Sequence, residues 1–345
     1  MKAVITGVSV AACLALAACG TTSDASKSSG SGGSGGSTNP KDMTMVTVVK
    51  ISGVGWFDRM ETGVKAYAKR TGVDARQEGA DDASPEKQVQ IIESLLPQKP
   101  TAITMVPNSP ESLENVAKQA RDQGIVVVSH EAAGMKNVDA DIEAFDNKAY
   151  GAEMMDNLGK CMGGQGQYVA MVGHLTAKTH MDWVAGALAE AKTKFPKVKR
   201  VEGPIESKED ENVAYQNAKA ILKKYPNIKG FEGSAGTDVA GIARAVQEAG
   251  LQDKTCVMGT SIPSVAKKYL SDGSIDKIFF WDPALAGEAQ LSAATLIAEG
   301  KKIQAGTDLK VKGYDSLKPI AGTTNAFSGD ASVVVDKNNV DQYKF

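Results

Sequence analysis

All three tryptophans and all three histidines of this 345-residue chain stand near carboxylates, amides or hydroxyls. The densest groups are Trp56-Phe57-Asp58, His130-Glu131, Thr179-His180-Met181-Asp182-Trp183 and Trp281-Asp282. Lys50, Asn108, Ser234, Thr237 and Asp238 add isolated polar groups. Aromatic faces flanked by such groups suit a sugar or polyol, whose C–H faces stack on rings while its hydroxyls donate to carboxylate oxygens. Trp56 and Phe57, with Trp183 or Trp281, are expected to stack on the ligand, and Lys50, Glu131, Asp182 and Asp282 to orient its hydroxyls.

Enzymatic readings of the same residues are weaker. Gly53-Val54-Gly55-Trp56-Phe57-Asp58 supplies two glycines of a dinucleotide fingerprint, with an acid where the third belongs. Ser234 follows Glu232-Gly233, which is no nucleophile elbow. His180 and Asp182 with His130 or His174 could ligate a metal, but no His-Glu-x-x-His spacing is present. No catalytic residue, cofactor or metal is expected.

These candidates need elements that bring them together. From residue 43 onward short β-branched runs at 45–49, 102–106 and 125–128 are each followed by ten to fifteen residues of helical periodicity. Further strands are expected at 168–172, 198–202, 230–232, 256–259 and 275–280, with strand-like character again at 331–335. A helix over 112–123 has Asn108-Ser109-Pro110-Glu111 ahead of it and Gly124 at its end. The rhythm is βαβ, an α/β chain whose parallel sheets are covered on both faces. So many strands are large for one sheet, and a division near 145–149 gives two doubly wound lobes. In such sheets ligands bind beyond the carboxyl ends of the strands, where the candidates above, His174 and Ser261 all fall.

At these residues the chain resembles the type I substrate-binding proteins of ABC transporters, in their pentose, rhamnose and autoinducer-2 branch. The resemblance rests on Val49-Lys50-Ile51-Ser52-Gly53-Val54-Gly55-Trp56-Phe57, Asn108-Ser109-Pro110-Glu111-Ser112-Leu113, Ser261-Ile262-Pro263-Ser264, Phe280-Trp281-Asp282-Pro283 and the closing Asn339-Val340-Asp341-Gln342-Tyr343-Lys344-Phe345. It implies two lobes joined by a three-crossover hinge, a ligand clamped between them and delivery to a membrane permease. The lobes are expected at 43–146 plus 281–306 and at 147–280 plus 307–345, the last stretch including the hinge. Lys50 matches the family's Lys, and Glu131 stands where the branch has Asp. Thr179-His180 replaces the autoinducer-type Asp-Gln pair, and Ser234 and Gly236 replace Pro and Ala. The ribose-type Asp-Arg pair would be Glu131-Ala132. The expected ligand is a neutral monosaccharide or sugar alcohol. The alternatives are a ligand-sensing domain for a membrane signalling partner and a metal-dependent exported enzyme or metal binder.

The amino terminus reads as an address. Lys2, an apolar run and Leu16-Ala17-Ala18-Cys19 fit a secretory signal over 1–18 that resembles a lipobox, with Cys19 as the lipidated residue. The run is too short to span a membrane. A Ser/Gly-rich tether over 19–42 would reach about 25 Å as a flexible coil. The folded part is thus expected outside the cytoplasm as a monomer anchored by lipid. A net charge of −2, with 23% charged residues and no basic run, argues against nucleic-acid binding. Cys161 and Cys256 remain, either paired or as separate buried thiols.

Overall fold

In the first strand, β1 (Thr44–Val49), Met45 and Val49 enter one apolar cluster while Val46 and Val48 enter another. A strand buried on both faces is the mark of a parallel sheet sandwiched by helices. The computed structural model describes residues 39–345. The signal expected over 1–18, the expected lipidation at Cys19 and the Ser/Gly tract lie outside the described residues.

After β1 the chain runs through α1 (Gly55–Thr71), β2 (Asp74–Gly79), α2 (Pro85–Leu95), β3 (Ala102–Met105), α3 (Pro110–Asp122), β4 (Val126–Ser129) and β5 (Ala140–Glu143). Next come α4 (Asn147–Cys161), β6 (Gln165–Val172), α5 (Lys178–Lys194), β7 (Lys197–Arg200), β8 (Ile205–Glu206), α6 (Glu211–Lys224), β9 (Ile228–Gly233) and α7 (Asp238–Glu248). The chain ends with β10 (Cys256–Thr260), α8 (Pro263–Asp272), β11 (Lys277–Phe280), α9 (Pro283–Ala298), β12 (Lys318–Pro319), β13 (Ala326–Ser328) and β14 (Val333–Val335). The helix expected over 112–123 starts two residues earlier, because the Ser109 side chain caps it and Pro110 occupies its first turn.

Two sheets result. The first has the order β12-β13-β5-β4-β3-β1-β2, parallel except for the β12–β13 pair. The second has the order β14-β11-β10-β9-β6-β7, with β8 also on β6, and is parallel except for β14. The chain crosses between the sheets three times: after β5, after β11 and between β13 and β14. The stretch 307–345, expected in the second lobe and hinge, therefore divides. Its strands β12 and β13 complete the first sheet and β14 flanks the second. Packing α4 against α5 requires two glycines: a Cβ on Gly151 would lie 1.9 Å from the Trp183 carbonyl oxygen, and one on Gly186 2.1 Å from that of Lys148. That close approach sets where Trp183 stands. Among the described residues no helix is long and apolar enough to cross a membrane.

Cys161 and Cys256 are joined in a disulfide, with Cα atoms 6.2 Å apart. The bond ties the end of α4 to the start of β10, across 95 residues of chain. Long closed loops lose the most unfolded-state entropy, so the bond is expected to contribute about 2–4 kcal/mol. Urea unfolding with and without reductant measures this: the midpoint should fall on reduction, and Cys161→Ser should reproduce the fall.

Candidate ligand-binding site

In both sheets the strand order reverses where the site forms, between β1 and β3 in the first and between β6 and β9 in the second. A narrow cavity of about 20 Å³, room for little more than a water molecule in this closed arrangement, lies between the two sets of carboxyl ends. Trp56 and Phe57 from α1, Trp183 from α5 and Trp281 from the second crossover supply its aromatic wall. Trp281 meets Trp56 edge to face at 4.7 Å between ring centroids and Trp183 at 5.8 Å. The sheets approach closely here, since a Cβ on Gly236 would lie 3.2 Å from the Trp56 ring.

The polar lining comes from Lys50, Glu131, His180, Glu209, Ser234, Thr237 and Thr260. Lys50 directly follows β1 and forms a buried ion pair with Glu131 after β4. Burial works against its ammonium charge, but the carboxylates of Glu131 and Glu209 outweigh burial and raise its pKa. Glu209 had escaped the sequence reading. It lies in the loop before α6, and burial pushes its carboxyl up while Lys50 pulls it down. Both acids stand on left-handed backbone, at φ +58° for Glu131 and +59° for Glu209. Such conformations are uncommon away from glycine and collect at binding sites, where strain is traded for aim. His180 is neutral. Burial first, then Lys50, holds its pKa well below the usual range, and its Nδ1 accepts the Gly173 N–H at 3.2 Å. Its Nε2 therefore carries the proton as a donor. Ser234 Oγ, Thr237 Oγ1 and Glu209 Oε1 are buried without protein partners. A ring lying between aromatic faces and bearing several hydroxyls can satisfy donors and acceptors of this kind.

The other expected site residues lie elsewhere. Asp58 is exposed in the first turn of α1. Asp182 pairs with Lys178 on the outer face of α5. Asp282 caps α9, accepting the Ala284 N–H at 2.9 Å, and binds Arg59 through both carboxylate oxygens. All three are acids in or beside the first turn of a helix, a position that favours negative charge for local reasons. Asn108 stands behind the wall, its amide donating to the Lys50 carbonyl at 2.9 Å while its backbone N–H donates to Gln88 Oε1. Asp238 accepts the N–H groups of Ser234 and Ala235 and so shapes the loop that offers Ser234 and Thr237. Burial pushes its carboxyl up to about 7. Thr179 is buried in the first turn of α5, outside the lining. Ser261 donates to the Gly236 carbonyl at 2.8 Å. His130 is buried behind Trp281 with both ring nitrogens engaged. The histidines do not converge: His174 faces Glu206 at 3.8 Å on the second sheet. Among the described residues one group of possible metal ligands draws together, Cys161, Cys256 and Asp276, and its two sulfurs are joined to each other.

The periplasmic binding protein domain, as a family, matches residues 45–302. The chain belongs to that family. The D-allose-binding periplasmic protein of Escherichia coli (strain K12) is 26% identical over 255 residues, covering 71% of this chain and 81% of that protein. Among solved structures, LsrB from Clostridium saccharobutylicum in complex with AI-2 superposes with a TM-score of 0.80 at 20% identity, covering 88% of this chain and 100% of that one. A solute binding protein of an ABC transporter from Clostridium phytofermentas with bound L-rhamnose gives 0.81 at 20% identity, covering 87% and 98%. The periplasmic binding protein described here thus has the type I fold, with two parallel-sheet lobes and three crossovers, as the resemblance implied.

Proposed function

We propose that this periplasmic binding protein captures a neutral monosaccharide or sugar alcohol between its lobes and delivers it to an ABC permease. The observation that carries the reading is the lining itself. Four aromatic rings from both lobes and the second crossover enclose Lys50, Glu131, His180 and Glu209, which no single sheet could assemble. The relatives named for D-allose and L-rhamnose support a sugar. Donors and acceptors of both signs, with Lys50 already paired to Glu131, favour a neutral polyhydroxy ligand over a charged one. The ligand drives closure only through contacts made with both lobes at once. In this reading the protein performs no chemistry, and the expected lipid on Cys19 keeps it beside the permease.

A thermal-shift panel of D-allose, L-rhamnose, D-arabinose, ribose, polyols and AI-2, with and without divalent metal, tests the proposal. A sugar at 100 times its dissociation constant adds about 2.7 kcal/mol and a clear shift. A shift with metal alone would sink the sugar reading. Trp56→Ala is expected to weaken binding of the best sugar by about tenfold or more in calorimetry, because it removes a stacking face and part of the contact between lobes. Unchanged affinity would remove Trp56 from the site.

A further inference from the structure

Trp281 is the meeting point of the aromatic wall. Beside Trp56 and Trp183, its ring meets Phe145 of the first crossover at 5.2 Å and His130 at 5.7 Å. Its position must hold while rings from both lobes close on it. The indole N–H is buried and has one partner, His130 Nε2, at 3.1 Å. His130 Nδ1 lies 2.6 Å from the Ile142 carbonyl, which can only accept, so Nδ1 carries the ring proton. That leaves the Nε2 lone pair facing the indole. The imidazole is thus a two-ended link from β5 in the first sheet to the second crossover.

We propose that His130 is a positioning residue for ligand binding: it fixes the plane of Trp281 and touches no ligand itself. The proposal rests on the reading of the cavity as a sugar site. The charged groups around the imidazole are Glu131, whose Oε1 lies 3.9 Å from Nε2, Glu143 on β5, and Lys50, just after β1, through its pair with Glu131. None of them replaces the acceptor that the indole requires. Without it, a buried N–H loses its partner and the ring is free to tilt, at a cost borne by every contact with Trp56 and Trp183.

The test combines affinity with a signal that exists without ligand. In 15N-labelled protein the Trp281 indole proton, assigned by its loss in Trp281→Phe, should exchange slowly and stay unchanged in His130→Gln, whose amide can both donate to Ile142 and accept from Trp281. In His130→Leu that protection should disappear. Calorimetry with D-allose and with L-rhamnose should show about tenfold weaker binding for His130→Leu and recovery with His130→Gln. In a Trp281→Phe background, which lacks the indole N–H, His130→Leu should add little further loss, the signature of two residues acting as one unit. Unchanged affinity or an unchanged indole signal in His130→Leu would overturn the proposal. If neither sugar binds the native protein, the calorimetry uses the best binder of the thermal-shift panel; if no sugar or polyol of that panel binds, the sugar reading fails, and the indole signal alone decides whether His130 holds Trp281.

Discussion

Lys50→Met is expected to abolish measurable sugar binding and to destabilise the protein by about 3–5 kcal/mol. The substitution removes the cation that balances Glu131 and Glu209, both buried, and leaves two carboxylates facing one cavity. Removing one partner of a buried pair costs far more than the pair was worth, because the survivor keeps its desolvation penalty. Binding suffers separately, since a hydrogen bond from a charged donor contributes about 1.5–3 kcal/mol in a dry site. The double variant Lys50→Met with Glu131→Leu separates the two effects. It should recover much of the stability, as an apolar pair of similar shape often does, and none of the affinity. Denaturant unfolding and calorimetry on the same samples read both quantities. Sugar binding retained in Lys50→Met would remove Lys50 from the recognition scheme.

The second large effect is on pH dependence. Glu232 on β9 is fully buried with neither carboxylate oxygen partnered, and burial raises its pKa from near 4.5 to about 8, Arg200 opposing weakly. Between those values the folded protein holds a proton that the unfolded chain has released. Stability must therefore fall as pH rises through that window, by about 1.4 kcal/mol per pH unit for one proton, and level off above it. Asp141 and Asp238, each raised by burial to about 7, add to the fall over the lower part of the range. Glu143, also raised well above its ordinary value by burial, contributes in the same direction, and Glu232→Gln removes the Glu232 share, on the order of 5 kcal/mol by pH 9. Unfolding free energies measured from pH 5 to pH 9 should decline steeply in the native protein and more gently in the variant. Parallel curves would show that Glu232 is ionised in the folded protein.

How much of this was legible in the sequence follows from what each residue does. Strands buried on both faces, such as β1, β3 and β10, announce themselves as apolar runs. Strand β2, Asp-Ala-Arg-Gln-Glu-Gly, forms the polar edge of the first sheet and lacks that signal. Strand β5, Ala-Asp-Ile-Glu, is buried with its charges turned inward, so composition argues against it. Of the cavity lining, Lys50, Trp56, Phe57, Glu131, His180, Trp183, Ser234, Thr237 and Trp281 were legible because each follows a recognisable strand or opens the helix after one. Glu209 was missed because a charged run, Glu206-Ser207-Lys208-Glu209-Asp210-Glu211, reads as a solvated loop. Only the left-handed backbone at Lys208 and Glu209 turns that loop inward. Asp58, Asp182 and Asp282 lie outside the cavity lining for the opposite reason: adjacency to a tryptophan does not distinguish an acid facing a cavity from one capping or pairing on a helix.

The first sheet begins with β1 but closes only when Ala326, Phe327 and Ser328 align with Asp141, Ile142 and Glu143. Between those partners lies the entire second sheet except its β14 edge. A chain made or threaded from its amino end cannot finish the lobe it starts first until nearly all of it has emerged. Pairings so distant in sequence are slow to form, and an incomplete sheet leaves the β5 edge unpaired meanwhile. The topology that gives both lobes a share in one cavity also delays the protein's commitment to a folded form.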